Sequence, residues 1–325
     1  VGNQHQSIKV SVIILTYNQE NYVAQAIEGV LMQNTNFPFE VIIHDDASPD
    51  STADIIRSYQ KQHPELIHTI LQTENQYSKN NWKITPIYQQ AHGKYIAICE
   101  GDDFWTDPFK LQKQVDLLEA HPGCSISCHK VLYHFEDGGT EDYEFPDIDG
   151  EKVFSKVELF GRYISATCSI MFINEKIDEL EDFLDGFMVT DIPIVYFYLN
   201  IGDMGYLGER MATYRLHNQS IYHPLKALQQ EFIQFDTFVK IKNRLRIRGS
   251  KRIDRKIINH GLNLLEAYQK EMNYRDMRKV LLRSFHAHPK INHSQSTYYL
   301  KYSLIAFFPW IDKLLTKQKR ENPTQ

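Results

Sequence analysis

The sequence predicts an α/β domain, a mostly parallel sheet flanked by helices, followed by an all-α extension. Three observations carry this. Apolar, β-branched runs alternate with helical patterns over residues 1–223, the rhythm of βαβ units. Two of those runs end in acidic pairs, at the edge where open parallel sheets bind ligands. From residue 224 to residue 325 the strand signal stops and the charge reverses: 21 Lys and Arg stand against 8 Asp and Glu, whereas residues 1–223 hold 15 against 33. The boundary is therefore placed between His223 and Pro224, separating an acidic module able to hold cations from a basic helical one.

The elements follow in order. Ile8 to Leu15 is nearly continuous β-branched apolar sequence, as in a strand covered on both faces. Asn18 or Asn21 is placed to cap a helix whose inner face uses Val23, Ala26, Ile27, Val30 and Leu31. Phe39 to His44 is a second strand, and Asp45-Asp46-Ala47-Ser48-Pro49-Asp50 turns the chain into a helix through Ile55, Ile56 and Tyr59. A third strand spans Leu66 to Leu71, and Ile84 to Gln90 has helical character. Lys94 to Cys99 is a fourth strand and runs into Glu100-Gly101-Asp102-Asp103; Asp107 then caps a helix opening on Pro108. Ser125 to Phe135 reads as a further strand, which makes Cys124, Cys128 and His129 strand residues rather than a zinc site. Long helical patterns over Leu225 to Leu245 and Arg255 to Met272 build the extension.

Composition excludes several classes. With 325 residues, 42% hydrophobic and 24% charged, the chain can bury a large core, which rules out a disordered tail or a disulfide-stapled miniprotein. Its longest uncharged apolar stretch, Tyr302 to Ile311, contains Pro309 and is too short to span a bilayer. No basic start followed by an apolar run opens the sequence, and Cys99, Cys124, Cys128 and Cys168 are scattered. Both suit a cytoplasmic enzyme.

Either Asp pair alone fits an ordinary turn or helix cap. Several carboxylates at one sheet edge repel one another unless a cation, a donor network or protonation compensates, so together they point to a divalent metal or to nucleotide donors.

In this setting the sequence resembles the family 2 glycosyltransferases of the GT-A fold. The resemblance rests on an ordered set of segments: Val10-Ser-Val-Ile-Ile-Leu-Thr-Tyr-Asn18, Val41-Ile-Ile-His-Asp-Asp-Ala-Ser48, Gly93-Lys-Tyr-Ile, Glu100-Gly-Asp-Asp-Phe-Trp105, Thr167-Cys-Ser-Ile-Met-Phe172, Thr190-Asp191 and Tyr214-Arg-Leu-His217. It implies a Rossmann-like GT-A sheet and an inverting hexosyl or N-acetylhexosaminyl transferase with a nucleotide-sugar donor. It also implies roles for individual residues. Thr16, Tyr17 and Asn18 lie along the nucleotide, with Tyr17 stacking on uracil, and Asp46 accepts a hydrogen bond from the base. A carboxylate suits the N3–H of uracil, which favours UDP, or dTDP with the same N3–H. Asp102 approaches the ribose and Asp103 ligates Mn²⁺ or Mg²⁺, although the spelling Glu-Gly-Asp-Asp leaves Glu100 with Asp102 or Asp102 with Asp103 as the pair. Such an ion neutralises charge on the departing diphosphate.

Asp191 matches the family's catalytic base, which takes the acceptor's proton as its oxygen attacks the anomeric carbon; its place before Ile192-Pro193 equally suits a helix cap. Arg215 and His217 fall on the segment that closes over the diphosphate, with His217 a further metal ligand. Trp105 is a candidate wall for a sugar, Thr167 and Ser169 for the sugar subsite, and the loop Gln72 to Lys79 for a further uracil contact.

The extension clusters Arg244, Arg246, Arg248, Lys251, Arg252, Arg255 and Lys256, then adds bulk from Tyr298 to Ile311 before Lys313, Lys317, Lys319 and Arg320. That mixture suits peripheral contact with the inner face of a membrane, against a solvated helical extension or a homo-oligomer surface. No nucleic-acid signature accompanies the charge. The expected activity moves a sugar from a UDP-sugar to a glycan or lipid-linked acceptor in surface polysaccharide or glycoconjugate synthesis. Its rival is a non-catalytic nucleotide-sugar sensor on the same fold.

Overall fold

The computed structural model describes residues 7–79, 83–217, 225–287, 293–309 and 312. The chain divides into two compact units. One comprises Val1–Leu159, Tyr163–Gly186 and Thr190–His223; the other takes Phe160–Arg162 and Phe187–Val189 along with Pro224–Gln325.

In the first unit, β1 (Val10–Thr16), α1 (Val23–Leu31), β2 (Phe39–Asp45), α2 (Thr52–Gln62), β3 (Ile67–Leu71), α3 (Thr85–Tyr88) and β4 (Tyr95–Glu100) come first. They are followed by β5 (Phe104–Trp105), α4 (Lys110–Ala120), β6 (Cys124–Phe135), β7 (Tyr143–Phe145), β8 (Lys152–Phe154), α5 (Lys156–Leu159), β9 (Met171–Ile173), α6 (Ile177–Leu184), α7 (Asp191–Ile201) and β10 (Asp203–Leu216). The sheet runs β3-β2-β1-β4-β9-β6-β10-β5, with β7 on β6 and β8 on β10. β1 is central, parallel to β2 and β4, and its Val10, Val12, Ile13 and Ile14 are fully buried. This is what a near-continuous β-branched run specifies.

β9 is antiparallel to both β4 and β6, and β10 is parallel to β6. β4, β6 and β10 therefore point the same way, and the carboxyl ends of β1, β2, β4 and β10 share one edge. The register sets Thr16 opposite Asp45 and Leu15 opposite Glu100. Two glycines allow the close approach this needs. A Cβ on Gly93 would lie 2.5 Å from the Ser11 backbone nitrogen, and one on Gly29 would lie 2.9 Å from the Trp105 backbone.

Two helix starts differ from the sequence reading. α1 begins after Tyr22 with no side-chain cap; Asn18 instead turns the chain off the sheet in the left-handed region (φ 56°), its N–H donating to Ser48 Oγ at 2.8 Å. α4 begins at Lys110 rather than Pro108, because Asp107 holds a preceding turn by accepting from the Phe109 N–H at 2.7 Å.

The second unit contains α8 (Ala227–Arg244), α9 (Lys251–Lys270), α10 (Tyr274–Ala287) and α11 (His293–Phe307). Phe235, Phe238, Ile253, Ile257, Leu264, Leu265, Met277 and Leu281 fill its core. Gly161, at φ 82°, belongs here because its backbone abuts Arg252, where a Cβ would fall 2.5 Å from the arginine Cβ. Phe187 lies under the Arg244 guanidinium at 4.9 Å. Part of the basic cluster is thus spent inside the unit, as is Lys242, paired with Asp254. His223, Pro224, Lys313, Lys317, Lys319 and Arg320 lie outside the described residues. Among the described residues no helix is long and apolar enough to cross a membrane.

Candidate active site

The end of β4 supplies a floor of carboxylates. Glu100, Asp102 and Asp103 each offer an oxygen within 4.8 Å of the others. Burial, Asp102 and Asp191 push the Glu100 carboxyl up to about 8, against a hydrogen bond from Thr167 that favours its anion. Burial, followed by repulsion from Asp102 and Glu100, raises Asp103 well above the usual carboxylate range. Asp103 Oδ1 accepts the Arg215 backbone N–H at 2.9 Å, while Asp103 Oδ2 is buried with no hydrogen-bond partner. An orphaned carboxylate oxygen among close oxygen donors is the environment of a hard divalent cation, so these residues fit Mg²⁺ or Mn²⁺.

The end of β10 packs over this floor. His217 Nε2 lies 3.0 Å from Asp102 Oδ2, and its ring rests 4.7 Å from that of Tyr22. The Tyr22 hydroxyl donates to Glu136 at 2.6 Å. Arg215 donates from Nη1 to the Asp102 carbonyl at 2.8 Å and from Nη2 to Gln25, sits 3.5 Å from Glu136, and lies over the Phe104 ring at 4.5 Å. Sequence reasoning aimed this guanidinium at a diphosphate. In the structure the guanidinium is buried beside the acids and engaged by the Asp102 carbonyl and Gln25. His217, expected as a metal ligand along with Asp103, meets Asp102, the more exposed of the two acids.

At the ends of β1 and β2, Tyr17 is 42% exposed, free to offer a ring face. Thr16 is buried, and its hydroxyl reaches the His44 carbonyl at 3.0 Å and Asp45 at 3.1 Å, tying β1 to β2. The Asp46 carboxylate accepts backbone N–H groups from Gln76 at 2.8 Å and Tyr77 at 3.0 Å. It thereby fixes the loop after β3 and carries the exposed Tyr77 to the same mouth. Each oxygen keeps a further lone pair for a ligand.

Asp191 opens α7 as its first residue, after an N-cap Thr190 that makes no side-chain cap. Burial raises its carboxyl above the ordinary range, opposed by backbone N–H groups of Ile192 and of its own residue. It also acts electrostatically on Glu100, so the two carboxyls lie near one another. Around them stand phenols that sequence reasoning missed. Burial, then Asp191, raises Tyr163, and Tyr133 stacks 4.9 Å from Tyr214 and 5.0 Å from the exposed Tyr143. The available signal was Tyr133 and Phe135 at alternate positions late in β6, but an aromatic strand residue reads equally well as core.

Three further candidates have protein partners of their own. Trp105 is buried, its indole N–H donating to the Cys168 carbonyl at 2.9 Å with the Lys110 ammonium 3.9 Å from its ring, the core role that a large aromatic also suits. Ser169 is buried and donates to the Ala166 carbonyl at 2.7 Å. Thr167 serves Glu100.

Comparison with known proteins gives a consistent picture. The profile described as glycosyl transferase family 2 matches residues 11–180. An uncharacterized protein of Mycobacterium tuberculosis is 36% identical over 228 residues, which is 69% of this chain and 63% of the relative, so the chain spans less than two thirds of that relative's length. Among solved structures, Staphylococcus aureus TarS in complex with UDP superposes with a TM-score of 0.62 at 16% identity, over 87% of this chain and 81% of the other. A Pyrobaculum calidifontis mannosyltransferase in complex with GDP-Man and Mn²⁺ gives 0.50 at 15% identity, over 99% and 89%. At such identities the likeness establishes the GT-A fold alone.

Proposed function

Because the chain belongs to glycosyl transferase family 2, we propose that it transfers a sugar from a UDP-sugar to an acceptor hydroxyl with inversion at the anomeric carbon. The observation that carries this is the gathering of Glu100, Asp102 and Asp103, with an orphaned Asp103 oxygen, in the electrostatic reach of Asp191.

In this reading partly buried Asp102, buried His217 and the open oxygen of buried Asp103 are the groups that would hold the metal. A divalent cation bound there neutralises charge building on the departing diphosphate. Arg215 does not reach for phosphate; it holds Asp102 and Asp103 in place through its guanidinium and backbone N–H. Tyr17 and Tyr77 offer ring faces to the base, and Asp46 accepts from its N3–H with a spare lone pair. Asp191, with its pKa raised by burial, accepts the acceptor's proton as the new glycosidic bond forms on the face opposite the leaving UDP. The ring of Tyr133, Tyr143, Tyr163 and Tyr214 suits the apolar face of an acceptor sugar, in keeping with a glycan or lipid-linked glycan acceptor.

The test pairs calorimetry of UDP and GDP binding in Mn²⁺ with a UDP-release assay across acceptors. Asp191→Asn is expected to bind UDP as wild type does while transfer falls by about 10²- to 10⁴-fold. Undiminished transfer removes Asp191 as the base, preference for GDP removes the uracil reading, and wild-type binding without turnover favours a sensor. Wild-type transfer is expected to decline as pH drops through the raised Asp191 pKa, with an acid limb above the ordinary carboxylate range.

A further inference from the structure

The second unit leaves a surface that its own core does not explain. On α11, Tyr299, Tyr302, Ile305 and Ala306 face inward and are buried, yet Leu300, Leu304, Phe307 and the adjacent Phe308 face outward. The outward set follows i, i+4, i+7 spacing, a continuous stripe along one side. A helix apolar on both sides needs cover on both. α10 extends the patch. Leu282 and Phe285 are exposed there, and the Phe285 ring meets the buried Tyr299 at 5.8 Å, which sets Phe285 at the seam between α10 and α11. These six apolar side chains stand 41–62% exposed. Four of them follow one another along and just beyond α11, a stripe rather than scattered surface residues.

The charge on the same stripe identifies what fits it. Arg275, Arg278 and Lys279 precede Leu282 on α10 by seven, four and three residues, one helical face, and all three are exposed. Exposed Lys301 stands beside Leu300 and Leu304 on α11. Two acids lie near these cations, Asp276, paired with Lys279 at 2.7 Å, and Glu266, which is within electrostatic reach of Lys301 and paired with Lys270 at 3.0 Å.

We propose that this face of α10 and α11 docks on an anionic lipid bilayer, its leucines and phenylalanines entering the acyl boundary and its cations meeting headgroups. A second copy of the chain is the poorer occupant, because a twofold contact through this face would bring the same cations against each other. A bilayer offers an apolar interior and opposite charge at once. Docking lies flat, consistent with α11 spanning only His293–Phe307 and with no described helix able to cross a membrane. The inference stands apart from the catalytic reading.

Flotation of the full chain tests it, using phosphatidylcholine vesicles with and without phosphatidylglycerol, at low and high salt. Wild type is expected to float with phosphatidylglycerol vesicles at low salt and to be released by high salt. Leu304→Asp with Phe307→Asp is expected to cut partitioning about tenfold or more, with helical content and UDP affinity unchanged. Arg278→Glu with Lys279→Glu, confined to exposed positions, is expected to do the same and serves if the first variant misfolds. Failure of wild type to float, equal flotation of the surface-charge variant, or a dimer in sedimentation equilibrium that Leu304→Asp dissolves would each overturn the proposal.

Discussion

Lys110 lies fully buried beneath the acidic floor, and its charge state decides how stability varies with pH. Burial pushes its ammonium down to about 7, against the electrostatic pull of Cys99, Cys168 and Asp107. A lysine with its folded pKa below its unfolded value binds fewer protons in the native state, so its contribution makes stability rise with pH between the two. Here that window runs from about 7 up to the unfolded lysine value of about 10.4, with a slope near 1.4 kcal/mol per pH unit. Below the window both states are protonated and the cost of the buried charge is complete, on the order of 5 kcal/mol. Lys110→Met removes that cost but leaves Gln114 Oε1 without the donor now 2.6 Å away, a pH-independent loss of about 1–3 kcal/mol. The variant should therefore be the more stable protein near neutrality and lose this advantage by about 1.4 kcal/mol per pH unit above it. Urea unfolding of both proteins at matched pH measures the difference and cancels titrations they share. The competing effect is attraction between the ammonium and the Trp105 ring 3.9 Å away, worth about 2 kcal/mol when desolvated. That is smaller than the desolvation cost, and a stability difference constant with pH would show that the ring wins and the amine stays charged.

Three further outcomes follow from the site. His217→Gln removes the imidazole from Asp102 and is expected to weaken Mn²⁺ affinity in the presence of UDP by about tenfold or more, read by calorimetry; unchanged affinity takes His217 out of the metal site. Tyr17→Ala removes an exposed ring face and should weaken UDP binding by up to about tenfold, whereas equal affinity would mean the base stacks elsewhere. Gly93→Ala drives a methyl to 2.5 Å from the Ser11 backbone nitrogen, which cannot yield inside the sheet. It should destabilise by about 3 kcal/mol, and a wild-type melting temperature would show the strands are spaced more loosely.

The long buried strands were legible because a strand covered on both faces calls for a nearly continuous apolar, β-branched run, as Val10 to Leu15 and Val41 to Ile43 supply. Once those strands wind in parallel, acids at their ends must converge, so the shared edge of Asp46 and Glu100 to Asp103 followed from the pattern. The short strands β5, β7, β8 and β9 did not, because two or three residues carry no period and pairing alone makes them strands. The tyrosines near Asp191 escaped for a related reason, since Tyr133 and Tyr214 satisfy core and cavity equally until their neighbours are known. Asp46 shows a further limit: the partners that shape its loop are backbone N–H groups of Gln76 and Tyr77, which no side-chain identity announces.

The spelling Glu-Gly-Asp-Asp separates what sequence and fold each decide. It places three carboxylates within four residues but says nothing of which oxygen stays open. That depends on β10, more than a hundred residues away, whose Arg215 N–H takes Asp103 Oδ1 and whose His217 meets Asp102. Arg215 and His217 stand two residues apart at the end of β10 and so share one face, from which the arginine reaches the Asp102 carbonyl and the histidine the Asp102 carboxylate. A one-residue slip of β10 against β6 would turn that face away and bring Tyr214 and Leu216 to the acids instead, so the composition of the proposed metal site depends on strand register as well as on the acidic motif.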